Sequence, residues 1–326
     1  MNIDTQEANE VSNKQIDKKS NQTISDFISL TDNLKDAFSN RKKLIIIFFS
    51  VLFGVCAVIV VFASIYDYPI SAGLNNPNEW FSWFMQDYGE WPMAYLVNVG
   101  FFVVLFVWLI RTRKKGNYLF LLFLIPLAGA GIFGWFFTAG VLIDTWWIVL
   151  IINVVGIGGM TAGCFFIPKK ILVKILYFMM LAFIISNLAY FLMLFTKWLW
   201  GRVRFRDIGG ILDPDLGFTH WFIINGPNGN EAFFSGHVLS ALSLTFAFLA
   251  PPIFKIKNKA ILFFIYFIPT CFAASMMYSR IVTGAHYLSD VTFSVIIFAL
   301  FNIFILRFGI FNIFKTRKKT AITSFN

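Results

Sequence analysis

Charged residues are scarce in this chain: Asp, Glu, Lys and Arg make up 13% of its 326 residues, against roughly 25% in a soluble domain. Hydrophobic residues reach 58%. That balance excludes a soluble globular enzyme, and equally a disordered chain, which is poor in apolar residues. Cysteine is scarce too. Cys56, Cys164 and Cys271 all lie inside apolar runs. They read as small buried hydrophobes, and they form neither a disulfide framework nor a metal site. The chain has no Walker loop, no Gly-rich dinucleotide fingerprint, no HExxH, no CxxC and no convincing internal repeat. It offers no dense carboxylate cluster to hold a metal, so neither a metal nor a cofactor is expected.

What the chain has in abundance is aromatic and aliphatic residues, with 42 Phe and 10 Trp. It reads as an all-α integral membrane protein. Lys and Arg number 27 against 17 Asp and Glu, a net charge of +10. A basic excess can serve nucleic acid or an anionic membrane surface. Here the basic residues sit in short clusters between apolar runs, which favours the membrane and excludes nucleic acid.

A spanning helix needs about 20 apolar residues. Eight stretches qualify: 43–66, 93–110, 118–141, 145–167, 171–196, 234–252, 260–279 and 286–309. Residues 1–40 are polar and poor in aromatics and read as a cytosolic tail, with a short helix near Ile24–Phe38. The first apolar run starts after residue 43, too late for the core of a signal peptide, so it is expected to stay as an anchor. The expected division is a tail over 1–40, a membrane hairpin with its outer loop over 41–117, a six-helix core over 118–309 and a basic cytosolic tail over 310–326.

Orientation follows from the basic clusters Arg41–Lys43, Arg111–Lys115, Lys169–Lys174, Lys255–Lys259 and Arg307–Lys319. With eight spans and both termini inside, all five fall on the cytoplasmic side, as the positive-inside rule requires. Residues 67–92, 197–233 and 280–285 then face outward. In the first of these, Trp80, Trp83 and Trp91 read as an interfacial aromatic belt. The glycines of Gly156–Gly159 read as a site of close helix packing.

The chemistry is expected on that outer face. The three histidines, His220, His237 and His286, all fall there, and ionisable groups near the membrane are functional candidates by default. Three segments stand out: Lys197 to Phe205, Phe233 to His237, and Ser279 to Asp290. Lys197 is followed after six residues by Arg204. Ser235, Gly236 and His237 are consecutive. Arg280 is followed after five residues by His286, and three more residues lead to Asp290. Taken singly, each has an ordinary reading: snorkelling cations, a helix start, an i,i+4 surface pair. His220 matches none of this and reads as a solvated loop residue beside Asp213, Asp215 and Glu231.

Taken together the segments resemble the three-part signature of the type 2 phosphatidic acid phosphatase superfamily, which also includes vanadium haloperoxidases and glucose-6-phosphatase. The third part matches in full. Phe205 and Phe234 stand where the family has backbone-shaping prolines, so Arg202 and Arg206 remain rivals to Arg204 for the first part. The resemblance covers about 118–309. It implies a six-helix phosphatase core in which Lys197, Arg204 and Arg280 bind phosphate together with Ser235 and Gly236. It also implies that His286 is the nucleophile, that Asp290 fixes its tautomer through the far ring nitrogen, and that His237 protonates the leaving group and then activates water. The residue types suit those roles. Guanidinium forks bind phosphate in bidentate fashion, a helix start attracts anions, and glycine lets the backbone approach closely.

The expected activity is metal-independent hydrolysis of a lipid phosphate at the outer face of the cell membrane. Phosphatidate, phosphatidylglycerophosphate and polyprenyl diphosphate are the candidate substrates. The rivals are a phosphotransferase using the same residues and a lipid transporter. A transporter predicts charges near the bilayer midplane or broken spans.

Overall fold

The structure is a computed structural model that describes residues 42–90, 92–112, 146–208 and 217–304. The N-terminal tail and the short helix expected in it, the expected third span and turn at Asp144, Trp91, Asp213, Asp215 and the basic C-terminal tail lie outside the described residues. Those described are helical and contain no strand. In chain order the helices are α1 (Lys42–Leu74), α2 (Trp80–Tyr88), a π-helical stretch (Pro92–Val99) that runs into α3 (Gly100–Thr112), α4 (Trp146–Phe166), α5 (Lys169–Trp200), α6 (Gly236–Leu242), α7 (Ala250–Phe254), α8 (Lys259–Val282) and α9 (Leu288–Phe304).

Three helices, within α1, α5 and α8, are long and apolar enough to cross a membrane. Their outward faces are apolar as well. Val58 on α1 is 70% exposed, and Phe263, Phe264 and Phe267 are exposed along α8. An aqueous surface would not tolerate so continuous an apolar face. Polar side chains within the helices turn back on their own backbone: Ser64 donates to the Val60 carbonyl, Thr196 to Leu192 and Thr292 to Leu288. That is how a hydroxyl is satisfied where water is absent.

The sequence places one helix over 234–252. The structure breaks this stretch into α6, a 3-10 turn over Ser243–Leu249, and α7. Pro251 and Pro252 begin α7, and Ser243 and Thr245 bond backward to the carbonyls three residues earlier. Both features favour short helical pieces over one continuous helix. Cys56 and Cys164 are buried as expected, but Cys271 is exposed on the outer face of α8. An apolar run does not say which of its faces turns inward. Among the described residues, a side chain at Gly156 would meet Tyr95, whereas one at Gly158 or Gly159 would meet nothing.

The main core lies between α5, α6, α8 and α9, where Tyr177, Ile185 and Met193 pack with Val238, Leu239, Met276, Val291 and Phe298. A second cluster, including Val103, Val107, Cys164 and Leu172, joins α3, α4 and α5. These clusters join the helices by close packing of their apolar side chains. The core aligns the C-terminal ends of α5 and α8 with the N-terminal ends of α6 and α9, and the polar residues gather at that end.

Candidate active site

Each site segment begins where a helix stops or starts. Lys197 occupies the last turn of α5. Gly201 ends that helix at φ +50°, and a Cβ there would collide with the Gly226 carbonyl oxygen, so both its conformation and its space require glycine. The chain leaves it extended through Arg204 and turns over Phe205–Asp207. Ser235 precedes α6, Arg280 lies in the last turn of α8, and His286 sits in the short link to α9.

The three arginines at 202, 204 and 206 go to different places. Arg202 is fully buried. Its Nη1 donates to Asp290 Oδ1 at 2.5 Å and to Ser289 Oγ at 2.8 Å. Nη2 donates to Asp67 Oδ2 at 3.0 Å, and Nε to the Thr219 carbonyl at 2.8 Å. The guanidinium carbon lies 4.1 Å from the Tyr287 ring centre. Asp67 comes from α1 and also accepts the Ser289 amide and hydroxyl. Arg204 turns the other way, to Glu231 at 3.4 Å, the carboxylate that Lys197 approaches at 3.8 Å. Arg206 and Arg280 both donate to Gln86 Oε1, at 3.1 and 2.9 Å. The structure therefore brings Lys197 and Arg204 to one carboxylate, and sets Arg206 beside Arg280 as a further cation that the motif does not name.

His286 is buried, and its Nδ1 lies 2.5 Å from the Ala232 carbonyl oxygen. A carbonyl cannot donate, so Nδ1 carries the proton and Nε2 presents its lone pair. The motif implies that Asp290 performs this task, but its Oδ2 lies 3.8 Å from Nδ1, too far for a hydrogen bond. Asp290 is occupied instead by Arg202 and by the Tyr287 amide at 2.9 Å. Asp290 belongs to the buried cluster around Arg202, and Ala232 holds the tautomer.

His237 is held at both nitrogens. Nε2 donates to the Gln86 carbonyl at 3.1 Å, and Nδ1 faces Glu90 Oε1 at 3.3 Å. Burial pushes the Glu90 carboxyl above its usual range, while Arg280 and Lys197 hold it down. Ser235 is fully buried, and its Oγ has no partner among the described residues, nor does Nε of Arg280. Gly236 lies against Met193, whose Cε would be 2.8 Å from an added Cβ, so close packing on α5 accounts for this glycine. His220 is apart from the site, half-buried and stacked on Phe222 with ring centres 5.2 Å apart. It is not the solvated loop residue its surroundings in the sequence suggest.

Sequence reasoning missed Asp67, Gln86, Glu90 and Ala232. Asp67 alone carried a signal, as an acidic residue at the end of an apolar run. Ala232 works through its backbone, which no residue type advertises. In the stretch 67–92, Trp80 is 75% exposed and Trp83 36%. The same stretch also forms one wall of the site.

These groups can bind an anion, supply a neutral imidazole nucleophile and hold a second imidazole as proton donor. That is the equipment of a phosphoryl-transfer protein. Residues 171–313 match the family model of the PAP2 superfamily. That match points to a phosphatase of phosphate esters. The match spans α5 to α9 and leaves α1 to α4 outside it. No curated protein and no solved structure matches the chain. Among the described residues no group of His, Cys, Asp and Glu could hold a metal ion.

Proposed function

We propose that the chain is a phosphatase that hydrolyses a lipid phosphate at the outer face of a membrane, through a phosphohistidine formed on His286. The observation that carries this reading is the Nδ1 bond from His286 to Ala232. It leaves Nε2 as a free nucleophile at the end of the bundle where Lys197, Arg204 and Arg280 gather. The non-bridging oxygens of the substrate lie against these cations and the buried Ser235 hydroxyl. Nε2 attacks phosphorus as the bond from phosphorus to the lipid oxygen breaks, and that oxygen takes the Nε2 proton of His237. Water then attacks the phosphohistidine and gives a proton to His237. Inorganic phosphate leaves, and both histidines return to their starting states.

Two further observations support the lipid and the outer face. The exposed apolar faces of α1 and α8 suit a bilayer, so a head group at the helix ends can reach the cations while its chains stay in lipid. Lys169, Lys170 and Lys174 at the start of α5, and Lys255, Lys257 and Lys259 before α8, lie at the helix ends opposite Lys197 and Arg280. That is the charge asymmetry of a site facing outward. The test is the purified chain assayed against phosphatidate, phosphatidylglycerophosphate and polyprenyl diphosphate. Phosphate release without an added acceptor is the expected result. Release only with an alcohol acceptor would make it a phosphotransferase, and a folded chain releasing none would end the reading. In intact cells, a cysteine at Pro227 should react with an impermeant thiol reagent and one at Lys257 should not. The opposite pattern would put the site in the cytoplasm.

A further inference from the structure

The geometry points to Glu90 as the positioning residue of His237, a carboxylate supplied from outside the family match that holds Nδ1 and so orients the ring whose Nε2 carries the proton. This rests on the reading of His237 as general acid. The Gln86 carbonyl at 3.1 Å can only accept, so Nε2 of His237 carries a proton. Nδ1 then meets Glu90 Oε1 at 3.3 Å in one of two ways: a protonated ring donates to the carboxylate, or a neutral ring accepts from the carboxylic acid. In both, one proton is shared between Glu90 and Nδ1, and Nε2 keeps its own. Without the carboxyl group the Gln86 carbonyl alone holds that tautomer, and once Nε2 turns from it to the lipid oxygen nothing on the Nδ1 side holds the ring.

The platform beneath Glu90 is rigid, as positioning requires. Ser279 on α8 donates to the Ser82 carbonyl of α2 at 2.9 Å, and the Asn76 amide donates to the Val282 carbonyl at 3.0 Å. Met85 is buried, and Gly89 bonds back to the Met85 carbonyl at 2.9 Å. An added Cβ at Gly89 would collide with Met276 Cε of α8, so the turn before Glu90 lies hard against that helix. One helix thus carries Arg280 directly and Glu90 through α2. In the chemical step, the lipid oxygen takes the Nε2 proton as its bond to phosphorus breaks. When water attacks the phosphohistidine, Nε2 takes a proton back, and the Glu90 contact keeps the ring oriented throughout.

A mere counterweight to Lys197 and Arg280 would act on phosphate binding, and so on every substrate alike. A partner of the general acid matters in the first step only where the leaving oxygen needs a proton, so that step is read in the first turnover, apart from the water step that every substrate shares. The experiment compares wild type, Glu90→Gln, Glu90→Asp, His237→Ala and the double variant Glu90→Gln/His237→Ala. The substrates are phosphatidate and an aryl phosphate with an acidic phenol. Glu90→Gln should slow the first-turnover cleavage of phosphatidate about ten- to hundredfold, part of the roughly 10²–10⁴ that a general acid contributes. First-turnover release of phenol from the aryl ester should change less than about threefold, phosphatidate cleavage should partly return in Glu90→Asp, and the double variant should be no worse than His237→Ala. Equal loss on both substrates, no loss, or additive losses in the double variant would overturn the role of Glu90 while leaving His237 in place. Loss of the first-turnover phenol release together with phosphatidate cleavage in His237→Ala would overturn the general-acid reading and the role of Glu90 with it.

Discussion

Behind His286 and in front of it, charge is handled in opposite ways. Behind, Arg202 is fully buried between Asp67 and Asp290, and Ser289, the Thr219 carbonyl and the Tyr287 amide complete the bonding. In front, Lys197, Arg204, Arg206 and Arg280 meet two carboxylates, Glu90 and Glu231, and one shared amide oxygen on Gln86. The rear cluster is closed, and its charges have nowhere else to go. The front holds more cation than anion, and its guanidiniums keep unused donors. Arginines two residues apart in the sequence can therefore do unrelated work: Arg202 holds the architecture, and Arg204 and Arg280 face the place where phosphate would lie.

The sharpest way to break this comparison is at the histidine between the two regions. His286→Ala should lose on the order of 10⁴-fold or more in kcat/KM, at least about 5 kcal/mol, on lipid and aryl phosphates alike. Acid-labile phosphate trapped on any other residue would remove it as nucleophile.

Next comes the rear. Arg202→Ala leaves two buried carboxylates without their cation, and should destabilise the fold by about 3–5 kcal/mol. Thermal unfolding in detergent would show it as a large fall in Tm. If Tm held while activity vanished, Arg202 would belong to the front.

In front, Arg280→Lys keeps the charge and loses the fork. It should lower kcat/KM about a hundredfold, about 3 kcal/mol, and leave Tm nearly unchanged. Near-normal activity would take Arg280 out of the phosphate cage. Arg204→Ala should cost more activity than Arg206→Ala, and the reverse order would reassign the first part of the motif.

The smallest effect is expected at Asp67. Asp67→Asn leaves Arg202 paired one-to-one with Asp290 and loses only a charge-assisted bond, so about 1–2 kcal/mol is expected. A cost equal to that of Arg202→Ala would mean that the three charges act as an indivisible unit.

Much of this arrangement is legible in the sequence, for a definite reason. Helical ends align when apolar runs of similar length pack side by side, so polar residues at run boundaries meet. That is why Lys197, His237, Arg280 and His286 can be grouped from their spacing. The partner of the His286 ring nitrogen is not legible, because Ala232 acts through a carbonyl that every residue has. Glu90 is not legible either. It sits in a stretch dominated by tryptophans, and nothing nearby in the sequence ties it to His237, far along the chain. An unbroken helix over 234–252 does not form, because hydrophobicity alone does not register a proline pair and two back-bonding hydroxyls.

From the sequence alone came the all-helical class, the apolar surface and the identity of the motif residues, because these depend on composition and on spacing along one chain. Only the tertiary structure decided which of Arg202, Arg204 and Arg206 is locked away and which faces outward. It also decided that α1, α2 and the turn that follows, outside the family match, deliver Asp67, Gln86 and Glu90 to the site. Contacts of about 3 Å between residues more than a hundred positions apart depend on how helices are seated against one another, and local pattern carries no record of that seating.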